Sequence, residues 1–139
     1  MMIEEPKGLS SKAIRSIQDI LIARTGGIAG ILNPTLLEST IDKPKFFFQY
    51  EPESSIFKLA AAYGYGFLKN HCFCDGNKRM DLAAVSTFLR KNDYLLTASE
   101  VEAASFFLDL AGAIETYEDG FERLTDWIEK HAIKLERED

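Results

Sequence analysis

Hydrophobic residues along this chain recur mostly at three- and four-residue intervals, the spacing of one face of an α-helix. Ile14, Ile17, Ile20 and Leu21 form the first such stripe, which stops near Gly26 and Gly27. Asn33-Pro34 reads as an N-cap followed by proline at the first helical position, opening a helix that carries Leu36, Leu37 and Ile41. Lys43-Pro44 is expected to end it, because the residue before a proline is pushed away from helical dihedrals. Phe46, Phe47, Phe48 and Tyr50 then favour an extended segment, too short to make a sheet by itself. Helical spacing returns at Ile56, Leu59, Ala60, Tyr63 and Phe67, up to Asn70, and again at Leu82, Val85, Phe88 and Leu89. Asn92-Asp93 breaks the pattern. Thr97 with Glu100 fits a capping box for a helix whose inner face is Val101, Ala104, Phe107, Leu108 and Ala111. Gly120 breaks once more, and Phe121, Leu124, Ile128 and Leu135 mark the last helix. The pattern predicts an all-α fold, a compact bundle of about six helices with at most a short β-hairpin near Phe46–Tyr50.

Neither an internal repeat nor a low-complexity linker divides the chain, and its 139 residues suit a single domain, 1–139. The net charge of −6 argues against a protein whose main task is gripping a nucleic-acid backbone, which needs clustered Lys and Arg. It leaves room for a local basic pocket. The acidic amino-terminal stretch is not a signal peptide, and no apolar run approaches a membrane span, so no membrane partner is expected. Cys72 and Cys74 are the two cysteines and stand too close together to staple a fold, which fits a reducing cytoplasm.

The polar interruption between the third and fourth helical stripes, His71-Cys72-Phe73-Cys74-Asp75-Gly76-Asn77-Lys78-Arg79, carries the chemistry. Gly76 and Asn77 tolerate the dihedrals of a tight turn. A helix starting at about Asn77 points unpaired N–H groups and the positive end of its dipole at whatever occupies that turn, which suits an anion. Lys78 and Arg79 add cations at the wrong end of a helix for cations, so an anionic ligand is expected to compensate them. Asp75 is a hard oxygen ligand suited to Mg²⁺. His71 is positioned to take a proton from an incoming hydroxyl. A base, a metal carboxylate and an anion cradle are the parts required for phosphoryl or nucleotidyl transfer.

This stretch resembles the Fic-family signature His-x-Phe-x-(Asp/Glu)-Gly-Asn-x-Arg at every specified position. Lys78 brings it nearer to the death-on-curing (Doc) branch of the Fic/Doc family, whose pattern ends Asn-Lys-Arg. Gly26-Gly27, Leu36-Leu37-Glu38-Ser39 and Lys43-Pro44 are also similar to the segment that precedes the signature in Doc-like chains, and the order of elements over about residues 12–130 matches that helical domain. The resemblance implies His71 as general base, Phe73 as the aromatic anchoring the loop, and Asp75 as metal ligand. It also implies Gly76 and Asn77 as the anion-hole turn, and Lys78 and Arg79 as phosphate-binding cations. It implies ATP or another NTP as co-substrate, Mg²⁺, and a target protein with an acceptor Ser, Thr or Tyr hydroxyl.

Within that family the Doc branch is associated with phosphorylation of a translation elongation factor by the toxin of a toxin–antitoxin pair, and Fic enzymes with AMP transfer. AMP-transferring chains usually carry a second arginine where this chain has Leu82, which points away from simple adenylylation. Gln18 stands where Doc-like chains often have histidine, and Leu32-Asn33 where they often have Arg-Asp. The family's inhibitory pattern, Ser/Thr-x-x-x-Glu-Gly/Asn, has no full match: Thr125 to Glu129 has the spacing, but Lys130 follows. Inhibition is therefore expected from a separate antitoxin chain.

Plainer readings compete at each position. Asp75 also suits a helix N-cap, and Lys78 with Arg79 a solvated turn. The spacing of Cys72 and Cys74 is too tight for tetrahedral zinc, so buried thiols are expected. His131, in the last helix, reads as structural or surface. Phe46–Phe48 reads as core, with a target-aligning flap over residues 44–50 as the alternative. A catalytically silent protein-binding module is the rival from outside enzymology.

Overall fold

The computed structural model describes residues 5–73 and 77–136, and of Asn77 and Lys78 the backbone only. The described residues fold as six helices, α1 (Ser11–Thr25), α2 (Pro34–Tyr50), α3 (Ile56–Lys69), α4 (Asn77–Lys91), α5 (Glu100–Gly112) and α6 (Tyr117–His131), with two short strands, β1 (Tyr94–Leu96) and β2 (Ala132–Lys134). Helix starts follow local chemistry. Ser10, Asn33, Ser55, Ser99 and Thr116 each stand at an N-cap and accept a hydrogen bond from the N–H three residues on. Among the described residues no helix is long and apolar enough to cross a membrane.

The core forms around α3. Every residue from Leu59 to Phe67 is buried, because α4, α6 and α2 all pack against this one helix. Its small residues permit the approach. A Cβ on Gly64 would lie 2.5 Å from Val85 Cγ2 and 3.4 Å from Leu124 Cδ2, so glycine there sets how closely α3 meets α4 and α6. This contact sets the spacing of the two helices that the His71–Arg79 stretch joins.

The helical expectation holds, but several local expectations are corrected. Helix α2 does not end at Lys43-Pro44; it runs through Pro44 to Tyr50, so Phe46–Tyr50 is neither extended nor a hairpin flap. Proline removes one helical hydrogen bond, but packing outweighs the loss. Leu37, Ile41 and Pro44 are buried along one stripe, and half-buried Phe47 and Phe48 extend it, with Phe47 5.9 Å from the Phe121 ring. The hairpin-like pairing is elsewhere: β1 and β2 pair antiparallel, Tyr94 opposite Lys134 and Leu96 opposite Ala132. Leu135 therefore lies beyond α6, not in it.

Helix α5 is capped by Ser99 rather than Thr97, whose hydroxyl donates to the His131 carbonyl at 2.8 Å instead. Its buried face is Ala103, Phe107 and Leu110, while Val101 and Leu108 stay 80% and 74% exposed. Aromatic stacking chooses between the two apolar stripes: Phe106 stacks on Trp127 of α6 at 4.6 Å, and Phe107 meets the same ring edge-on at 5.8 Å. Gly120 does not break a helix but sits buried inside α6, where a Cβ would run into the Tyr65 hydroxyl.

Candidate active site

Helix α3 ends at Lys69, and Asn70 to Phe73 leave it as an extended segment. That segment is held from both sides. The Cys72 carbonyl accepts two backbone hydrogen bonds, from Leu32 N–H at 2.8 Å and from Asn33 N–H at 3.1 Å. Phe73 forms an isolated antiparallel bridge with Ile31. The loop between α1 and α2 therefore acts as a short strand clamped beside the signature stretch. Asn33 serves twice, because its side chain also caps α2 by accepting from Leu36 N–H at 3.0 Å.

Phe73 is the residue expected as the aromatic anchor of the loop. Its ring is buried and stacks against Phe67 at 6.4 Å with an interplanar angle of 19°. The neighbouring Cys72 is buried too, with its Sγ 3.8 Å from Thr40 Oγ1 and 3.7 Å from the Asn70 carbonyl. Burial pushes the Cys72 thiol up from its ordinary pKa, and the Thr40 hydrogen bond opposes this only in part. Thr40 completes a small network: its hydroxyl donates to the Leu36 carbonyl at 2.7 Å and accepts from Asn70 Nδ2 at 2.9 Å. The backbone on either side of His71 is thus fixed to α2, while the His71 side chain itself is exposed. The half-buried Asn70 and the buried Cys72 flank an exposed His71.

Helix α4 begins at Asn77, where the sequence places it, and its first-turn N–H groups and the positive end of its dipole lie at that start. Arg79 is exposed in that first turn and makes no ion pair among the described residues, whose ion pairs are Lys58–Glu51 and Arg123–Glu115. Cys74, Asp75 and Gly76, and the side chains of Asn77 and Lys78, lie outside the described residues. The expected roles of Asp75 as metal ligand and of Gly76, Asn77 and Lys78 as phosphate ligands rest on the sequence. Among the described residues no three His, Cys, Asp or Glu side chains form a metal-binding group.

One titratable group near this end of α4 escaped the sequence reading. Asp81, one turn into the helix, is 3% exposed and sits in the middle of the buried face made by Met80, Ala84, Val85 and Phe88. Desolvation raises its carboxyl to about 7, with a hydrogen bond from Leu82 N–H to Oδ1 at 2.6 Å acting in the opposite direction. Its position on the apolar stripe was the available signal. Thr40 and Asn70 were also missed, since nothing in their neighbourhood marks them as a pair 30 residues apart. Gln18 is buried in α1, and Leu82 is half-buried against the core.

His131 is structural. Its Nδ1 lies 2.8 Å from the Trp127 carbonyl, and its ring is 4.6 Å from the Trp127 ring. Glu129 is exposed and forms no ion pair with Arg79 among the described residues.

Comparison with known proteins bears on this arrangement directly. The profile of the Fic/DOC family matches residues 8–89, which span α1 to α4 and the stretch between α3 and α4. Protein kinase doc of Escherichia phage P1 is 31% identical over 84 residues, a stretch that covers 60% of this chain and 67% of that protein.

Proposed function

The chain belongs to the Fic/DOC family, and from that premise we propose that it is a Doc-like transferase. In this reading it moves the γ-phosphoryl group of ATP, or of another nucleoside triphosphate, onto a Ser, Thr or Tyr hydroxyl of a target protein. The observation that carries the reading is the pairing of an exposed His71 on a doubly clamped segment with the start of α4 at Asn77. His71 takes the proton of the acceptor hydroxyl as its oxygen attacks the γ-phosphorus. The bond to the β–γ bridging oxygen breaks, and the nucleoside diphosphate leaves. The α4 N-terminus and Arg79, with Gly76, Asn77 and Lys78, hold the phosphates and balance the charge that spreads over the transferred group. Mg²⁺ is commonly held by one or two carboxylates plus substrate phosphates. A single protein ligand, Asp75, suits that habit, and the ion would supply charge neutralisation on the phosphates.

The kinase named among its relatives favours phosphate over AMP transfer, as does Leu82 in place of a second arginine. AMP transfer would use the same His71 but would attack the α-phosphorus and release pyrophosphate. The absence of the full inhibitory pattern supports control by a separate antitoxin chain, with this protein as the toxin.

Incubation of a lysate with ATP labelled separately at the α and γ positions tests the reading. Label transferred from the γ position alone, and reduced by roughly 10²–10⁴-fold in His71→Ala, is the expected result. Label from the α position would make the activity nucleotidyl transfer. Equal labelling by wild type and His71→Ala would end the assignment of the base.

A further inference from the structure

The β1–β2 pair leaves one backbone edge open. Thr97 N–H donates to the His131 carbonyl at 2.6 Å and Leu135 N–H to the Asp93 carbonyl at 2.7 Å, so residues 93, 95 and 97 turn their peptide groups toward β2. In an antiparallel strand these directions alternate. Tyr94 and Leu96 therefore turn their N–H and C=O groups to the other side, where they find no hydrogen-bond partner among the described residues. Natural sheets usually blunt such an edge with proline, an inward charge, a bulge or a covering segment. The sequence of β1, Tyr-Leu-Leu, has no proline or charge, and the strand is only three residues long.

A groove of about 700 Å³ borders β1. Ser86, Thr87, Arg90 and Lys91 of α4 line one wall, and Leu95 and Leu96 of β1 the other. β2 contributes nothing to its lining. Its chemistry is mixed. Leu95 is 41% exposed, two hydroxyls stand opposite, and Arg90 is exposed without an ion-pair partner among the described residues. Lys91 donates to the Gly8 carbonyl at 3.1 Å and adds a second positive charge. Two cations flanking a groove on a chain of net charge −6 are a local reversal of sign.

We propose that this groove takes an extended segment of a partner protein, with acidic and apolar residues alternating, as a third strand on the free edge of β1. Main-chain bonds to Tyr94 and Leu96 supply affinity, one set of alternate side chains meets Arg90 and Lys91, and the other set meets the exposed Leu95. A second copy of this chain fits poorly, because two-fold pairing of β1 with itself would set the Arg90 and Lys91 of both copies against each other. The groove lies in the last turns of α4, roughly 14–21 Å along the helix from its start at about 1.5 Å per residue. A partner docked there leaves His71 open, so the inference stands apart from the transferase reading.

Panning a random dodecapeptide phage library against the full-length protein tests it. The expected peptides are poor in proline, alternate apolar with Asp or Glu, and once synthesised slow hydrogen exchange of the Tyr94 and Leu96 amides by at least tenfold. Arg90→Glu should weaken their binding at least tenfold with no change in Tm. Leu96→Pro should abolish binding while β1 and β2 stay paired, since that N–H takes no part in the ladder; if Leu96→Pro unfolds the protein, Arg90→Glu and the exchange pattern still decide. No enrichment, enrichment of basic peptides, equal binding to Arg90→Glu, or protection at other amides would overturn the proposal. So would concentration-dependent self-association that protects Tyr94 and Leu96 without peptide, which would make a second copy the occupant.

Discussion

Replacing Asp81 by Asn tests the energetic account of the site end of α4. The carboxyl is 3% exposed, and its pKa moves from 3.8 to about 7 because burial disfavours the charged form. The sign follows from linkage. The fold binds the Asp81 proton more tightly than the unfolded chain does, so there is no penalty below pH 3.8; it grows as pH rises toward 7 and is constant above that. The gap corresponds to about 4 kcal/mol above pH 7, at about 1.36 kcal/mol per pKa unit. Between pH 5 and pH 8 the wild type should lose about 2–3 kcal/mol at this one residue. Asn keeps the acceptor for the Leu82 N–H but buries a new amide NH₂, at a cost of about 1–3 kcal/mol. Asp81→Asn should thus be close to neutral or slightly destabilising at pH 5 and more stable than wild type by about 1–3 kcal/mol at pH 8. Urea unfolding of both proteins at pH 5, 6, 7 and 8, with m-values compared, measures this. A stability difference between them that stays constant across the series would refute the reasoning, since it would mean that Asp81 does not change protonation on folding.

Gly64→Ala should lower stability by about 1–3 kcal/mol, the usual cost of overpacking, because its methyl would meet Val85 Cγ2 at 2.5 Å; the Tm reports it. Thr40→Val removes the hydroxyl that links Leu36, Asn70 and Cys72. It should lower stability by about 1 kcal/mol and reduce kcat more than it raises KM, as the backbone beside His71 loosens. The buried, pKa-raised Cys72 should resist alkylation at pH 8 in the native protein and react fully in urea, which mass spectrometry of the Cys72 peptide reads directly.

How far the sequence carries differs from element to element. Within the stretch from His71 to Arg79 the helix start was legible because its signals are local, set by residue types at fixed spacing within a few positions. The starts of α2 at Asn33-Pro34 and of α4 at Asn77 follow from the same short-range rules of capping and backbone freedom, and the buried stripe of α3 follows from its period. Four features depended on what packs from far along the chain. Helix α2 passes Pro44 because Phe47 and Phe48 gain more by burial against α6 and the core than one lost hydrogen bond costs. Helix α5 turns its second-best apolar stripe inward because Trp127 offers a stacking surface to Phe106 and Phe107. Gly120 stays inside a helix because Tyr65 needs the space a side chain would fill. Asp81 is buried in spite of its charge because it shares a helix face with Met80, Ala84, Val85 and Phe88. Caps, turns and periods act over a few residues and are written in the sequence itself. Competition between two apolar faces, or between a lost hydrogen bond and a gained contact, is decided by the free energy of the assembled core, and only the tertiary structure displays that outcome.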